Sequence, residues 1–403
     1  MKPDLRFSQL RWVIILYRQS TPLLNVSQST LPPLLYADTG SNPDQLYFSR
    51  VDVHDPFISF GVGQKRFSVQ SALEFGRVLK ARTFDKVLPL EEWVARAHKA
   101  YPDRKIGTAE VIATLAKTHR VPGFRVADDF PAALFAKLRD LGVKLEFADG
   151  PLFPEREIKS AKEAAAIREG NRLSSVGFTV AEDILRRSKI RKRELIFEGK
   201  PLTSERLNFA IEVAILEQGG RAEHTIVAGG DQGCDPHERG HGPLRPNEMI
   251  ILDIFPRVVK TGYFGDMTRT YLKGRASDAQ RKLYATVHEA QKAAIKAVRT
   301  GVDGSEVHGK ITAIFDAAGY ETKRGKNGSI GFFHGTGHGL GVAIHEAPRV
   351  NASPYILPKG TVVTIEPGLY YPGLGGCRIE DVVQVTDRGA KMLSSHHYEW
   401  EIR

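Results

Sequence analysis

The chain has 403 residues, 41% of them apolar and 26% charged, with 57 basic against 47 acidic side chains and a formal net charge of +10. That length and apolar fraction can bury a large core spread over two or three domains, which excludes an intrinsically disordered or collagen-like chain. Only two cysteines, Cys234 and Cys377, are present, which excludes a disulfide scaffold and points to a reducing, cytoplasmic setting.

Residues 1–32 read as a Ser/Thr/Pro-rich extension. Its apolar stretch Trp12-Val13-Ile14-Ile15-Leu16-Tyr17 is cut short by Arg18 and Gln19. That is too short for a signal peptide or a bilayer span, so no membrane association is expected. From 33 to 150 extended and helical pieces alternate: a strand at Phe57-Ile58-Ser59-Phe60, a helix from Ala72 to Leu79, another from Ala132 to Leu141 stopped by Gly142, and a period-two strand from Val143 to Phe147. This is an α/β domain. Turn residues Asp149-Gly150-Pro151 mark its boundary, and a charged, Ala-rich helical stretch follows from Glu157 to about Arg187. The one dense basic run, Arg186-Arg187-Ser188-Lys189-Ile190-Arg191-Lys192-Arg193, lacks any nucleic-acid-binding motif. It reads as a solvated helix end, so no nucleic-acid partner is expected.

Beyond residue 155 helices are expected at about 204–218, 278–299 and 305–318. Ser277 and Gln280 form a capping box for the second, and Gly301 lies just past its end. The strand-like runs are Met249 to Phe255, Tyr263 to Leu272, Val362 to Glu366 and Arg378 to Val383. Short connections favour an antiparallel sheet covered by helices, hence α+β.

These runs carry Asp253, Asp266, Glu366 and Glu380, each in an apolar context. A bare charge in low dielectric costs several kcal/mol or neutralises itself, so four such carboxylates demand a partner. The glycine-dense segment His334-Gly335-Thr336-Gly337-His338-Gly339-Leu340-Gly341 lies between the two pairs. Oxygen-rich sites with an imidazole suit divalent cations, and two of them balance four carboxylates. His237-Glu238-Arg239-Gly240-His241 matches the H-E-x-x-H pattern of zinc proteases, but Gly233, Pro236, Gly240, Gly242 and Pro243 forbid the helix that pattern needs. A loop carrying His237 towards the site is the better reading.

The runs Leu252-Asp253-Ile254, Gly265-Asp266-Met267-Thr268-Arg269-Thr270, His334 to Gly341, Ile365-Glu366-Pro367-Gly368-Leu369-Tyr370 and Arg378-Ile379-Glu380-Asp381 together resemble the ligand motifs of the pita-bread metallopeptidases. That family contains aminopeptidase P, prolidase, methionine aminopeptidase and the non-peptidase creatinase. Residues 155–403 resemble its catalytic domain and 33–150, more weakly, the creatinase/prolidase N-terminal domain. The resemblance implies that Asp253 binds one metal, that Asp266 and Glu380 bridge, and that His338 and Glu366 bind the other. It also implies that Glu366 moves protons and that His334 and His345 stabilise the scissile region. His237, Arg378 and Tyr370 fall at the substrate pocket, the last two as support.

The implied activity is Xaa-Pro aminopeptidase hydrolysis of short peptides with proline second, with two divalent ions, Mn²⁺ first and Co²⁺, Zn²⁺ or Fe²⁺ as alternatives, in a homodimer. A prolidase-type dipeptidase would use the same centre plus a cation for the substrate carboxylate. A non-catalytic metal- or peptide-binding relative is the reading of another class. One departure is the spacing of thirteen between Asp253 and Asp266, two longer than the family's habit. An even insertion absorbed in the turn keeps both carboxylates in phase.

Overall fold

The computed structural model describes residues 31–326 and 328–403, so the extension expected at 1–32 lies outside them but for its last two residues. Phe57–Val62 and Lys65–Gln70 form a hairpin whose two-residue turn begins at Gly63, φ 58°, the left-handed position that favours glycine. Leu34–Ala37 adds antiparallel on one side and Lys86–Pro89 parallel on the other. Helices Leu90–Ala100, Thr108–Thr118 and Ala132–Asp140 cover this sheet. Phe60, Phe67, Trp93, Ile112, Leu115, Phe124 and Leu138 fill the core between. Gly142, φ 77°, follows the last of these helices as expected.

The remainder is built of two sheets with helices outside. One has the order Ile226–Gly229, Met249–Ile254, Met267–Lys273, Glu401–Ile402, antiparallel except for its last pair. The other runs Glu346–Val350, Gly337–Gly339, Val362–Ile365, Asp381–Thr386, Gly389–Met392, antiparallel throughout. Helices Ala161–Arg187 and Ser204–Glu217 pack on the first through Phe178, Leu207, Ile211, Ile250 and Leu252. Asp278–Ala297 and Gly304–Ala317 pack on the second through Val287, Ile311, Val363 and Val383. Ser277 and Gln280 make the expected reciprocal cap. The sheets meet where Glu380 N–H donates to Thr268 O at 3.1 Å and Thr270 Oγ1 to Arg378 O at 2.9 Å.

The strand expectations need one correction. Only Asp253 lies inside a strand; Asp266 precedes Met267–Lys273, Glu366 follows Val362–Ile365, and Glu380 sits in the break between Gly375–Arg378 and Asp381–Thr386. Those last two strands belong to different sheets. Apolar patterning continues through such a change of sheet, so it reads as one run. The physical gain is convergence, because carboxylates at strand ends can lean towards one point where ladder residues stand parallel.

His237–His241 lies in a turn followed by irregular chain, with Gly240 and Gly242 at φ 86° and 72°, as its composition requires. The basic run 186–193 is mostly exposed, and Arg187 pairs with Asp183 at 3.0 Å. No helix among the described residues is long and apolar enough to cross a membrane.

Two glycines set the distance between the long helix and the site. A Cβ on Gly170 would lie 2.3 Å from Gly265 N, and one on Gly265 would lie 2.1 Å from Gly170 C. This approach lets Asn171 Oδ1 accept the N–H of Asp266 at 2.8 Å. Replacing Gly170 by Ala should cost about 3 kcal/mol by overpacking against immovable backbone. A lowered urea midpoint with unchanged m-value is the expected reading; an unshifted midpoint contradicts the contact.

Candidate metal centre

The hairpin Met249–Ile254/Met267–Lys273 sets the first pair of acids. Asp253 faces Thr268 across the ladder, and Asp266 lies two residues before Thr268, so period-two alternation places all three on one face. The loop between Asp253 and Asp266 spends its length away from this face. Arg257–Val258 pairs with Gly220–Arg221, and the Arg257 guanidinium donates to Gly40 O at 2.9 Å and Thr39 O at 3.3 Å. His338 comes from Gly337–Gly339, a strand so closely packed that a Cβ on Gly337 would lie 1.9 Å from Thr364 O.

One ligand atom each of Asp266, His338 and Glu380 lie within 4.8 Å of one another. His338 Nε2 is 3.5 Å from Asp266 Oδ2 and 3.4 Å from Glu366 Oε1. Asp253 stands outside that triad: Arg378 Nη2 holds its Oδ2 at 2.8 Å, while its Oδ1 is buried without a partner among the described residues. Thr268 Oγ1 donates to Glu380 Oε2 at 2.8 Å and Thr364 Oγ1 to Glu366 Oε1 at 3.1 Å. Neither threonine was anticipated, yet each is two residues from an acid, where strand alternation puts it on the same face.

The electrostatics call for a cation. Burial first, then repulsion from neighbouring carboxylates, holds Asp266 and Glu380 well above the ordinary range. Burial, with Asp253 adding and Arg378 opposing, pushes Glu366 up to about 7. Burial also keeps His338 neutral, its pKa lowered to about 3. Its Nδ1 lies 3.1 Å from Gly339 O, so the hydrogen belongs there and the Nε2 lone pair faces the acids. An orphaned carboxylate oxygen, a converging lone pair and three carboxyls that resist ionisation together fit divalent metal.

A second cluster, Glu182, His396 and His397, makes the opposite case. His397 Nδ1 accepts the N–H of Glu399 at 3.2 Å, so its hydrogen is on Nε2 and goes to Glu182 Oε2 at 3.0 Å. Tyr271 Oη also donates to Glu182 Oε1, at 2.7 Å, and His396 Nε2 lies 2.8 Å from that oxygen, so the cluster is a hydrogen-bonded strap holding the C-terminal segment.

Around the centre the expected substrate groups divide. His334 Nδ1 is 2.7 Å from Gly335 O, and its Nε2 is 2.9 Å from Tyr370 Oη. Tyr370 Oη accepts from Arg378 Nη1 at 3.0 Å. With Nδ1–H given to a carbonyl and Nε2 taking the phenol hydrogen, His334 has no hydrogen left for a substrate. Tyr370 and Arg378 are themselves buried, at 0% and 3% exposure. They stand behind the ligands, in a supporting place, with Arg378 orienting Asp253. His345 is exposed, with its ring 4.4 Å from that of His338 at 90°. His237 is exposed on its turn and lies near His334 and His345. A residue the sequence reading passed over is Arg349, which lies opposite His338 in the ladder. Its side chain is exposed and has no hydrogen bond or ion pair among the described residues.

With this geometry established, comparison with known proteins gives a family. Residues 165–387 match the model of Metallopeptidase family M24. The chain is 31% identical over 280 residues to a probable dipeptidase PepE of Mycobacterium tuberculosis, covering 68% of each chain. Across two of the curated relatives it matches, the chain spans 65–68% of the relative's length. In fold it is similar to an Xaa-Pro dipeptidase from Bacillus anthracis, TM-score 0.76 at 21% identity over 92% of this chain and 95% of that one. It is also similar to an X-Pro aminopeptidase from Thermotoga maritima, TM-score 0.75 at 21% identity over 92% and 97%. The catalytic half thus has the pita-bread α+β fold, and the family implies divalent metal ions.

The raised carboxyl of Glu366 gives a pH prediction for metal-free protein. A folded value of about 7 against 4.5 for an ordinary glutamate means its contribution is complete below about 4.5 and lost as pH rises through 7. Asp266 and Glu380 act in the same direction. The urea midpoint of chelator-treated protein should fall between pH 5 and 8, and fall less in Glu366→Gln. Divalent metal at a hundredfold excess over its Kd should restore about 2.7 kcal/mol at pH 8. A midpoint rising with pH and indifferent to metal contradicts the crowding.

Proposed function

Since the chain belongs to metallopeptidase family M24, we propose that it hydrolyses the bond between the first residue of a short peptide and a proline at the second, as an Xaa-Pro aminopeptidase. The observation that carries this is the convergence of Asp266, His338 and Glu380, with Glu366 3.4 Å from the imidazole and Asp253 beside them. The complete donor set speaks against a non-catalytic relative. Asp253, Asp266, His338, Glu366 and Glu380 would hold two divalent ions, manganese first, with cobalt, zinc and iron as alternatives. When bound, these supply Lewis acidity that activates water and polarises the scissile carbonyl.

The remaining work belongs to side chains. Thr364 holds Glu366 Oε1, leaving Oε2 to take the water's proton and return it to the leaving nitrogen. His345, exposed beside His338, donates to the developing oxyanion. His237 meets the substrate from its turn. Tyr370 and Arg378 keep His334 and Asp253 in place.

Arg349 favours a second reading, the Xaa-Pro dipeptidase. A dipeptide carries its carboxylate one residue past the scissile bond and needs a cation there. Arg349 is such a group, close enough for its charge to act on His338, His345 and Glu366. Both readings take residues 33–150 as an N-terminal domain and 155–403 as the catalytic one, each with its own core. They also take the protein as a cytoplasmic homodimer: the cytoplasmic part rests on two free cysteines, the dimer on the family resemblance.

Manganese-loaded protein incubated with Ala-Pro and with Ala-Pro-Ala, followed for free alanine, tests this. Release from both marks an aminopeptidase and release from the dipeptide alone a dipeptidase; release from neither refutes both. Glu366→Gln should lower kcat by about 10²–10⁴-fold. Arg349→Met should raise KM for Ala-Pro by about tenfold or more while sparing kcat, consistent with a lost charge-assisted hydrogen bond; an unchanged KM removes the dipeptidase argument.

A further inference from the structure

A second charged group adjoins the centre without entering it. Glu346 follows His345 directly, and its side chain is 6% exposed. One carboxylate oxygen accepts from the Arg156 guanidinium and from Ala343 N–H at 2.9 Å; the other accepts from Lys159 Nζ at 3.1 Å. The other arm of Arg156 donates to Asp44, on the helix Pro43–Ser49 of the N-terminal layer. Two cations and two carboxylates thus join three segments, 43–49, 154–159 and 341–346, and sum to zero charge. Burial alone would raise Glu346, but Lys159 and Arg156 more than offset it and hold its carboxyl below the usual range.

The loop is folded around this carboxylate. A Cβ on Gly341 would lie 2.7 Å from Glu346 Oε2, Gly341 N–H donates to Ala343 O at 3.0 Å, and Gly341 O accepts from Phe264 N–H at 2.8 Å. The side chain this loop presents to the centre is His345, against His338. Buried ion pairs seldom stabilise more than apolar packing of the same volume. What they do supply is fixed direction, which an imidazole aimed at a reacting atom requires.

We propose that Glu346, gripped by Arg156 and Lys159, is a positioning residue that fixes His345 beside the metal centre, and that Asp44 completes the grip from the N-terminal layer. The catalytic loop is therefore held in register by a domain that contributes no ligand. The idea rests on the peptidase reading above for its kinetic consequences and on the ion quartet alone for its structural ones.

The test is a double-mutant cycle with Ala-Pro on the full metal-loaded chain, with bound metal measured in each variant. Displacing a catalytic group by about 1 Å costs on the order of 10²-fold, so Glu346→Gln should lower kcat about 10- to 100-fold with KM and metal content within twofold of wild type. Asp44→Asn, one link further out, should lower kcat about 3- to 10-fold by the same misplacement. Because Glu346 acts through His345, H345A/E346Q should be no slower than H345A. Losses that multiply in the double variant, or wild-type kcat in E346Q, overturn the proposal. Should E346Q fail to fold, D44N and H345A/D44N carry the same cycle. Should wild type cleave neither peptide, the peptidase reading fails separately. The clamp is then judged by the ¹⁵N imidazole resonances of His345, which shift in E346Q and D44N if it holds and stay put if it does not.

Discussion

Carboxylates crowded into a part-buried junction repel one another, and the rest of this structure is arranged around that repulsion. Asp266, Glu366 and Glu380 all resist ionisation in the bare protein. Among the described residues the Arg378 guanidinium pairs with one acid of the group, Asp253. The imbalance left over is of the size and hardness that divalent metal satisfies. His338 turns its lone pair, not its hydrogen, toward the same point.

Holding such a crowd together needs a rigid frame, and the frame is backbone. The two sheets are stitched by main-chain and threonine hydrogen bonds between 268–270 and 378–380. Arg269, fully buried, donates to Glu380 O at 2.7 Å and to Asp381 Oδ1 at 3.0 Å. Glycines at 170, 265 and 337 remove side chains where backbone meets backbone. The hairpin that carries Asp253 and Asp266 is thereby tied to the segments that carry Glu366 and Glu380, which are remote in sequence.

Much of this was legible in the sequence. Helices expected at 204–218 and 278–299 appear as Ser204–Glu217 and Asp278–Ala297, because capping residues and periodicity are local signals. The five candidate ligands were marked by carboxylates in apolar runs and a glycine-dense histidine segment. What could not be read is what depends on distant partners. The change of sheet between Arg378 and Asp381 hides inside a continuous apolar pattern. The engagement of His334 Nε2 depends on Tyr370, 36 residues away. The Asp44–Arg156–Glu346 link spans separations of 112 and 190 residues. No periodicity encodes such contacts; only folding brings them together.

The central claim is that these acids coexist because dications lie among them. Crystals grown with manganese, with anomalous scattering measured at a wavelength that reveals the ion, test it most directly. Two strong peaks ringed by Asp253, Asp266, His338, Glu366 and Glu380, about 3.5–4 Å apart as in two-metal sites, are the predicted result. A map with no peak there, or with manganese only at Glu182, His396 and His397, would contradict it.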